Sequence, residues 1–155
     1  MDGQPARDRR RTVPSDLTLK AMSVVHRGLI AVTRGRRGWR FGRTPALELT
    51  TTGRRTGRPR TTMLTSPLQL GDALVVVGSR GGDDHHPAWY LNLVAHPDVL
   101  VAREGGSPVP MRARVMTDDE RAQHWPTITR THPNYAAYQR RTSRVIPLVV
   151  LEPVR

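Results

Sequence analysis

Apolar and polar positions alternate, or run together in short blocks, over most of the chain beyond residue 45, and the pattern predicts strands more often than helices. From Ala46 to Thr51, Leu47 and Leu49 alternate with Glu48 and Thr50, the period-2 signature of a half-buried strand. Arg60 to Leu70 reads as a second strand, rich in threonine and leucine, with Pro67 marking an edge or a bulge. After the turn Gly71-Asp72 comes Ala73 to Gly78, a continuous apolar run of the kind a strand buried on both faces carries. Three strands on such short connections predict an antiparallel meander, since parallel pairs need long crossovers. Val99 to Arg103 and Val109 to Met116 flank the turn Gly105-Gly106, and Ile146 to Leu151 is a last apolar strand. Helical periodicity is confined to four places. Ser15 is an N-cap ahead of an amphipathic segment reaching Val32. Pro87 opens Ala88 to Ala95. Thr117-Asp118-Asp119-Glu120 is a capping box for a helix through Trp125, where Pro126 predicts a break or a second start. Tyr135 to Arg141 forms a short helix with Tyr135 and Tyr138 on one face.

A chain of 155 residues suits one folded domain with one sizeable core. We expect residues 1–14 to be a disordered basic tail, residues 15–45 a helix with an arginine–glycine connector, and residues 46–155 the domain itself. Charge sharpens this outline. There are 25 basic against 13 acidic residues, a net +12, and Lys20 is the single lysine. Such a surface attracts anions: nucleic acid, anionic lipid or a polyanionic small molecule. The absence of cysteine excludes disulfides and thiolate metal sites. No apolar run approaches the roughly 18 residues a membrane span needs, so the expectation is a cytoplasmic protein, with a peripheral membrane contact through the basic first helix as the alternative.

Between the first two strands lies Thr50-Thr51-Thr52-Gly53-Arg54-Arg55-Thr56-Gly57-Arg58-Pro59-Arg60-Thr61-Thr62, which packs four arginines, two glycines and six threonines. Guanidinium groups match phosphate and carboxylate oxygens in pairs. Glycines permit tight turns, and consecutive N–H groups of a turn can form an anion-binding nest. No Gly-Lys-Ser/Thr follows, so this is not a nucleotide-binding P-loop. A phosphate site and a merely solvated hairpin both fit the composition. His85 and His86 stand beside Asp83 and Asp84, but neighbouring side chains in a loop seldom converge on one ion and a third ligand at suitable spacing is lacking. No metal site is expected.

The elements Thr-Thr-Thr-Gly-Arg-Arg-Thr-Gly-x-x-Arg, Ser-Arg-Gly-Gly after a strand, His-Pro-Ala-Trp-Tyr-Leu-Asn-Leu, Pro-Asn-Tyr-x-x-Tyr and Arg144-Val145-Ile146-Pro147 occur in this order. Together they resemble the deazaflavin (coenzyme F420)-dependent nitroreductase family, which includes F420H2-dependent quinone reductases, over roughly Ala46 to Pro153. The resemblance implies an α+β, mainly β fold: a split β-barrel of about six mostly antiparallel strands with flanking helices, like the FMN-binding split barrels. It implies an enzyme that moves hydride from reduced F420 to a quinone, enone or nitro compound. Arg54, Arg55, Thr56 and Arg60 match the contacts to the cofactor's phosphate and anionic tail. Thr61, Thr62, Met63 and Leu64 match the wall of the deazaflavin ring. Val77, Gly78, Ser79 and Arg80 match a second contact strand and its loop, and Ala88, Trp89, Tyr90, Leu91 and Asn92 the helix start that closes over the ring. On the acceptor side the resemblance gives Ser79 as hydrogen-bond donor and Tyr135 and Tyr138 as pocket lining, the three residues expected to be catalytic.

The chain departs from the family at Met63, where many relatives have proline, near Thr65, where an aromatic is usual, and at His132, where relatives often have tyrosine. All three touch the acceptor side. Two other functions compete: a split barrel that carries or sequesters a flavin or F420 without turnover, and a basic nucleic-acid-binding domain. The second calls for stacking aromatics, and the chain has one Phe, three Trp and three Tyr. We therefore expect a small-molecule acceptor and no nucleic-acid partner, in a monomer or weak dimer.

Overall fold

The computed structural model describes residues 40–41 and 44–155, with side-chain surroundings from Thr44 onward. The expected basic tail, the helix after Ser15 and most of the arginine–glycine connector lie outside the described residues. In chain order the elements are β1 (Arg40–Phe41), β2 (Thr44–Thr52), β3 (Pro59–Thr65), β4 (Leu68–Leu70), β5 (Ala73–Val77), α1 (Ala88–Ala95), β6 (Asp98–Arg103), β7 (Val109–Val115), α2 (Asp118–Thr131), α3 (Pro133–Gln139) and β8 (Leu148–Pro153), with a single 3-10 turn at Arg80–Gly82 after β5.

Every strand pair among the described residues is antiparallel. β3 pairs with β2, β4 with β5, β5 with β8, β8 with β7, β7 with β6, and β6 with β2. β1 adds two residues to the start of β2. β3 and β4 are halves of one strand broken at Ser66-Pro67, so the pairings return on themselves as a barrel of six strands. Pro67, expected at an edge or a bulge of one strand, instead sits at the bend that divides it. Ser66 holds the corner: its N–H donates to the Pro45 carbonyl at 3.0 Å and its hydroxyl lies 3.0 Å from the carbonyls of both Leu68 and Val75.

The pleat sorts the apolar residues into two cores. Leu47, Leu49, Leu74, Val76, Val101, Met111, Val149 and Leu151 fill the barrel interior together with Leu93 of α1. Val75, Val77, Leu148 and Val150 point the other way, against Met116, Ile128, Tyr135 and Ile146 under α2 and α3. β5 and β8 are buried on both faces, which is why their sequences are unbroken runs of valine and leucine rather than alternations.

The capping box of α2 is formed. Thr117 Oγ1 accepts from the Glu120 N–H at 3.2 Å, and Glu120 Oε2 accepts from the Thr117 N–H at 2.8 Å. One expectation fails here: Pro126 neither breaks nor restarts the helix, which runs on to Thr131. Proline deletes only its own N–H, the one that would reach Ala122. Ile128 is fully buried against the barrel, and that packing keeps the following turn helical.

Candidate functional site

The β2–β3 turn is held by its own hydrogen bonds and by Asn92 of α1. The Gly53 N–H donates to the Arg58 carbonyl at 2.8 Å, and the N–H groups of Thr56 and Gly57 both reach the Gly53 carbonyl. The Arg58 N–H donates to Thr56 Oγ1 at 3.3 Å. The Arg54 N–H and its Nη1 both donate to Oδ1 of Asn92, at 3.2 and 3.3 Å. Asn92, buried in α1, in turn donates through Nδ2 to Thr51 Oγ1 at 3.2 Å. Most of the expected backbone nest is therefore spoken for: four of these N–H groups are consumed inside the turn and that of Arg54 by Asn92 of α1. What the turn presents outward is guanidinium: Arg55, Arg58 and Arg60 are exposed, and among the described residues no carboxylate pairs with them. A side chain at Gly53 would crowd the turn, since a Cβ there would lie 2.9 Å from Thr56 Oγ1 and 3.1 Å from the Arg58 carbonyl.

β3 leads from this turn to a second group of residues. From Arg60 to Thr65 it spans about 17 Å at the usual strand rise. At its far end Thr65 Oγ1 and the Tyr135 hydroxyl hydrogen bond at 3.1 Å. Tyr135 meets Tyr138 edge-on at 6.1 Å between ring centroids. The main chain of Tyr138 approaches the loop after β5, where Gly82 lies so close to the Tyr138 carbonyl that a Cβ would come within 2.5 Å. That loop begins at Ser79, which is buried and starts the 3-10 turn without capping it through its side chain. Pro87 and α1 close the same region. His86 and Tyr90 lie 4.6 Å apart, and Trp89 and Tyr90 pack with Leu64 on the barrel core.

The comparisons with known proteins point one way. Residues 25–153 match the family described as F420H(2)-dependent quinone reductase. An F420H(2)-dependent quinone reductase of Mycobacterium tuberculosis is 42% identical over 139 residues, covering 86% of this chain and 88% of its own. The chain belongs to the F420H(2)-dependent quinone reductase family. Among solved structures, an F420-H2 dependent reductase (FDR-A) superimposes with a TM-score of 0.61 at 35% identity, covering 70% of this chain and 94% of its own. A domain-swapped dimer superimposes with a TM-score of 0.64 at 31% identity, covering 83% and 96%. Membership makes the protein an oxidoreductase that works with coenzyme F420, and the mainly β split barrel expected from sequence is the family's fold.

In this F420H(2)-dependent quinone reductase chain the residues singled out from sequence have unequal freedom. Thr61, Thr62, Met63 and Leu64 alternate across β3. Leu64 faces the barrel core beside Leu47, while Thr61 faces outward to share a hydrogen bond of 3.0 Å with Thr50. Their four side chains cannot wall one ring. Val77 is buried under the helices, Gly78 is packed on Pro147, and Asn92 is a strut of the turn. Tyr135 places its ring in the helix-covered core, and that burial raises its pKa. Arg80 pairs with Asp83 at 3.5 Å. The two histidines diverge: His85 turns to Asp83, and His86 to Arg144. Arg58, one of the four arginines of the turn but expected to make no contact, is exposed beside Arg55 and Arg60, and Arg144, visible in its motif, was given no role.

Proposed function

We propose that this protein transfers hydride from reduced F420 to a quinone, with enones and nitro compounds as further acceptors, and that the outward arginines of the β2–β3 turn hold the cofactor. The observation carrying this reading is the trio Arg55, Arg58 and Arg60 on a turn held by its own hydrogen bonds and by Asn92, with no carboxylate partner among the described residues. F420 has a phosphate and a polyglutamate tail, which fits that donor set: planar guanidinium forks paired with phosphate or carboxylate oxygens. The residues fit the group elsewhere too. β3 offers its outer-face residues Thr61 and Met63 and its backbone along the ring, and the Ser79 loop and Trp89–Tyr90 flank it.

When bound, reduced F420 supplies the hydride. The chain's part is orientation, exclusion of water and a donor where negative charge grows on the acceptor. Ser79 fits the last role, since among the described residues no side-chain acceptor is bound to its hydroxyl. Tyr138, only half-buried, lines the acceptor side, and Tyr135 supports it from below. No helix among the described residues is long and apolar enough to cross a membrane. We place the reaction in the cytoplasm, in a monomer or weak dimer, with peripheral membrane contact through the first helix as a further option.

The test is a fluorescence titration of the purified protein with F420, flavin mononucleotide and flavin adenine dinucleotide, followed by oxidation of F420H2 on adding a quinone such as menadione. We expect F420 to bind and to turn over. Arg55→Gln and Arg60→Gln should each weaken F420 about 10- to 100-fold, the worth of one or two charged hydrogen bonds. Binding without turnover would favour the carrier reading. Unchanged F420 affinity in both variants would overturn the assignment of the turn.

A further inference from the structure

We infer that Arg144 is the positioning residue of the acceptor site, acting through the loop that carries Ser79. Arg80, Gly81 and Gly82 adopt φ of 46°, 66° and 83°, three consecutive residues in the left-handed region. The two glycines enter it freely, but Arg80 is an L-residue and stays there only where its surroundings impose it. One side chain holds both flanks of the run. Arg144 Nη1 donates to the Gly78 carbonyl at 3.1 Å, Nη2 to the Ser79 carbonyl at 2.9 Å and Nε to the Asp83 carbonyl at 2.8 Å. Nη1 also donates to His86 Nδ1 at 3.2 Å. A guanidinium has five N–H donors, and four are engaged here by the protein itself, so Arg144 is committed to the loop rather than to a ligand. Its three carbonyl partners bracket the left-handed run from both ends.

The same segment grips the loop at two further points. The Gly78 N–H donates to the Pro147 carbonyl at 2.9 Å, and Arg141 Nη1 donates to the Gly81 carbonyl at 3.1 Å. Residues 141–147 therefore form a cradle for residues 78–83, with Arg144 at its centre. Only a planar fork of fixed charge reaches three carbonyls and an imidazole at once; a lysine ammonium, a point donor on a flexible stem, cannot reproduce it. Ser79 is thus held by a residue 65 positions away in the chain rather than by its own turn.

This inference rests on the proposed role of Ser79, and the experiment separates the two. In the full-length protein, Arg144→Lys is compared with wild type by amide hydrogen exchange, by equilibrium F420 binding and by steady-state oxidation of F420H2 with menadione. The Gly82 and Asp83 amides donate to the carbonyls of Ser79 and Arg80. Their exchange should accelerate at least tenfold while the amides of β5 and β8 keep their protection. F420 affinity should change less than threefold, and kcat should fall ten- to a hundredfold, with added guanidinium ion recovering part of it in Arg144→Gly. His86→Phe, which keeps the stack on Tyr90 and removes one of the four acceptors, should loosen the same two amides by a smaller factor and decides the matter if Arg144→Lys does not fold. Unchanged exchange at Gly82 and Asp83 would overturn the clamp. Loosened amides with unchanged kcat would leave the clamp standing and sink the role of Ser79.

Discussion

At the scale of single residues, Asn92 illustrates how a motif residue can serve the site without touching a ligand. Its amide is divided between Thr51 on one side and the backbone and side chain of Arg54 on the other. Asn92→Ala removes all three bonds and leaves a buried threonine hydroxyl short of a partner, so we expect a loss of roughly 1–3 kcal/mol in stability. The denaturant midpoint should fall at unchanged slope, and F420 affinity should fall with it because the arginines lose their platform. An unaltered midpoint would remove the strut from the account. His86 gives a prediction with a sign. Burial and the Arg144 guanidinium lower its pKa, and Arg144 requires Nδ1 to be an unprotonated acceptor. Asp83, Asp84 and His85 also stand close along the chain, and Tyr90 lies against the ring. A histidine with a depressed folded pKa contributes stability that is present above its ordinary value of about 6.5 and lost as pH falls from there through the folded value. Thermal midpoints should therefore decline on acidification below about 6.5, and His86→Phe should flatten that part of the profile. An equal decline in the variant would assign it to another group.

Among the elements, α2 is set by local chemistry at its start and by tertiary packing further along. Its capping box is readable at a glance because donor and acceptor are three residues apart. The Arg114 fork holds Glu120 at 2.8 and 3.0 Å, and that pair, with the Thr117 N–H behind it, lowers the Glu120 pKa from 4.5 to about 2. The stabilisation is complete above pH 4.5 and lost as pH falls through about 2. Glu120→Gln should erase that acid dependence, whereas Thr117→Ala should cost about 1 kcal/mol at neutral pH through the cap; a Glu120→Gln melt as acid-sensitive as wild type would refute the first. Pro126, by contrast, misleads because its effect on helix continuation is decided by Ile128 packing on the barrel. The strands were legible for the same reason the cap was: pleat and pairing are local patterns, and the two-sided burial of β5 and β8 is written as unbroken apolar runs. The clamp was not legible. Its partners lie 58 to 66 positions from Arg144 and are mostly backbone carbonyls, which no residue pattern announces. The alternation of Thr61 to Leu64 was legible in principle, since period 2 forbids four adjacent side chains from sharing a wall, but the resemblance spoke of the segment as a unit.

On the scale of the whole molecule, what matters is where charge is left over. The excess is +12: residues 1–43 hold 11 basic and 3 acidic residues, and residues 44–155 hold 14 and 10, so the domain's own excess is small and its placement decides where the field is positive. Among the described residues, Asp98 pairs with Arg112, Glu120 and Glu152 with Arg114, and Asp83 with Arg80. Carboxylates are thus spent on β7 and on the Ser79 loop, and the β2–β3 turn keeps its positive field. A polyanion approaching this surface is steered toward the turn before any contact forms. Steering is screened by salt, whose Debye length shrinks from about 10 Å at 0.1 M to about 3 Å at 1 M. Contacts already made between guanidinium and phosphate are screened less. The association rate of F420 should therefore fall on the order of tenfold or more between low salt and about 0.5 M, with a smaller rise in dissociation. Arg55→Gln and Arg58→Gln should flatten the salt dependence of association, while Arg130→Gln on α2, also exposed but off the turn, should not. Stopped-flow fluorescence at several ionic strengths measures both rates. If Arg130→Gln lowered the slope as much as the turn variants, net charge alone would be responsible, and the arrangement of arginines around Gly53 would have no special claim on the cofactor.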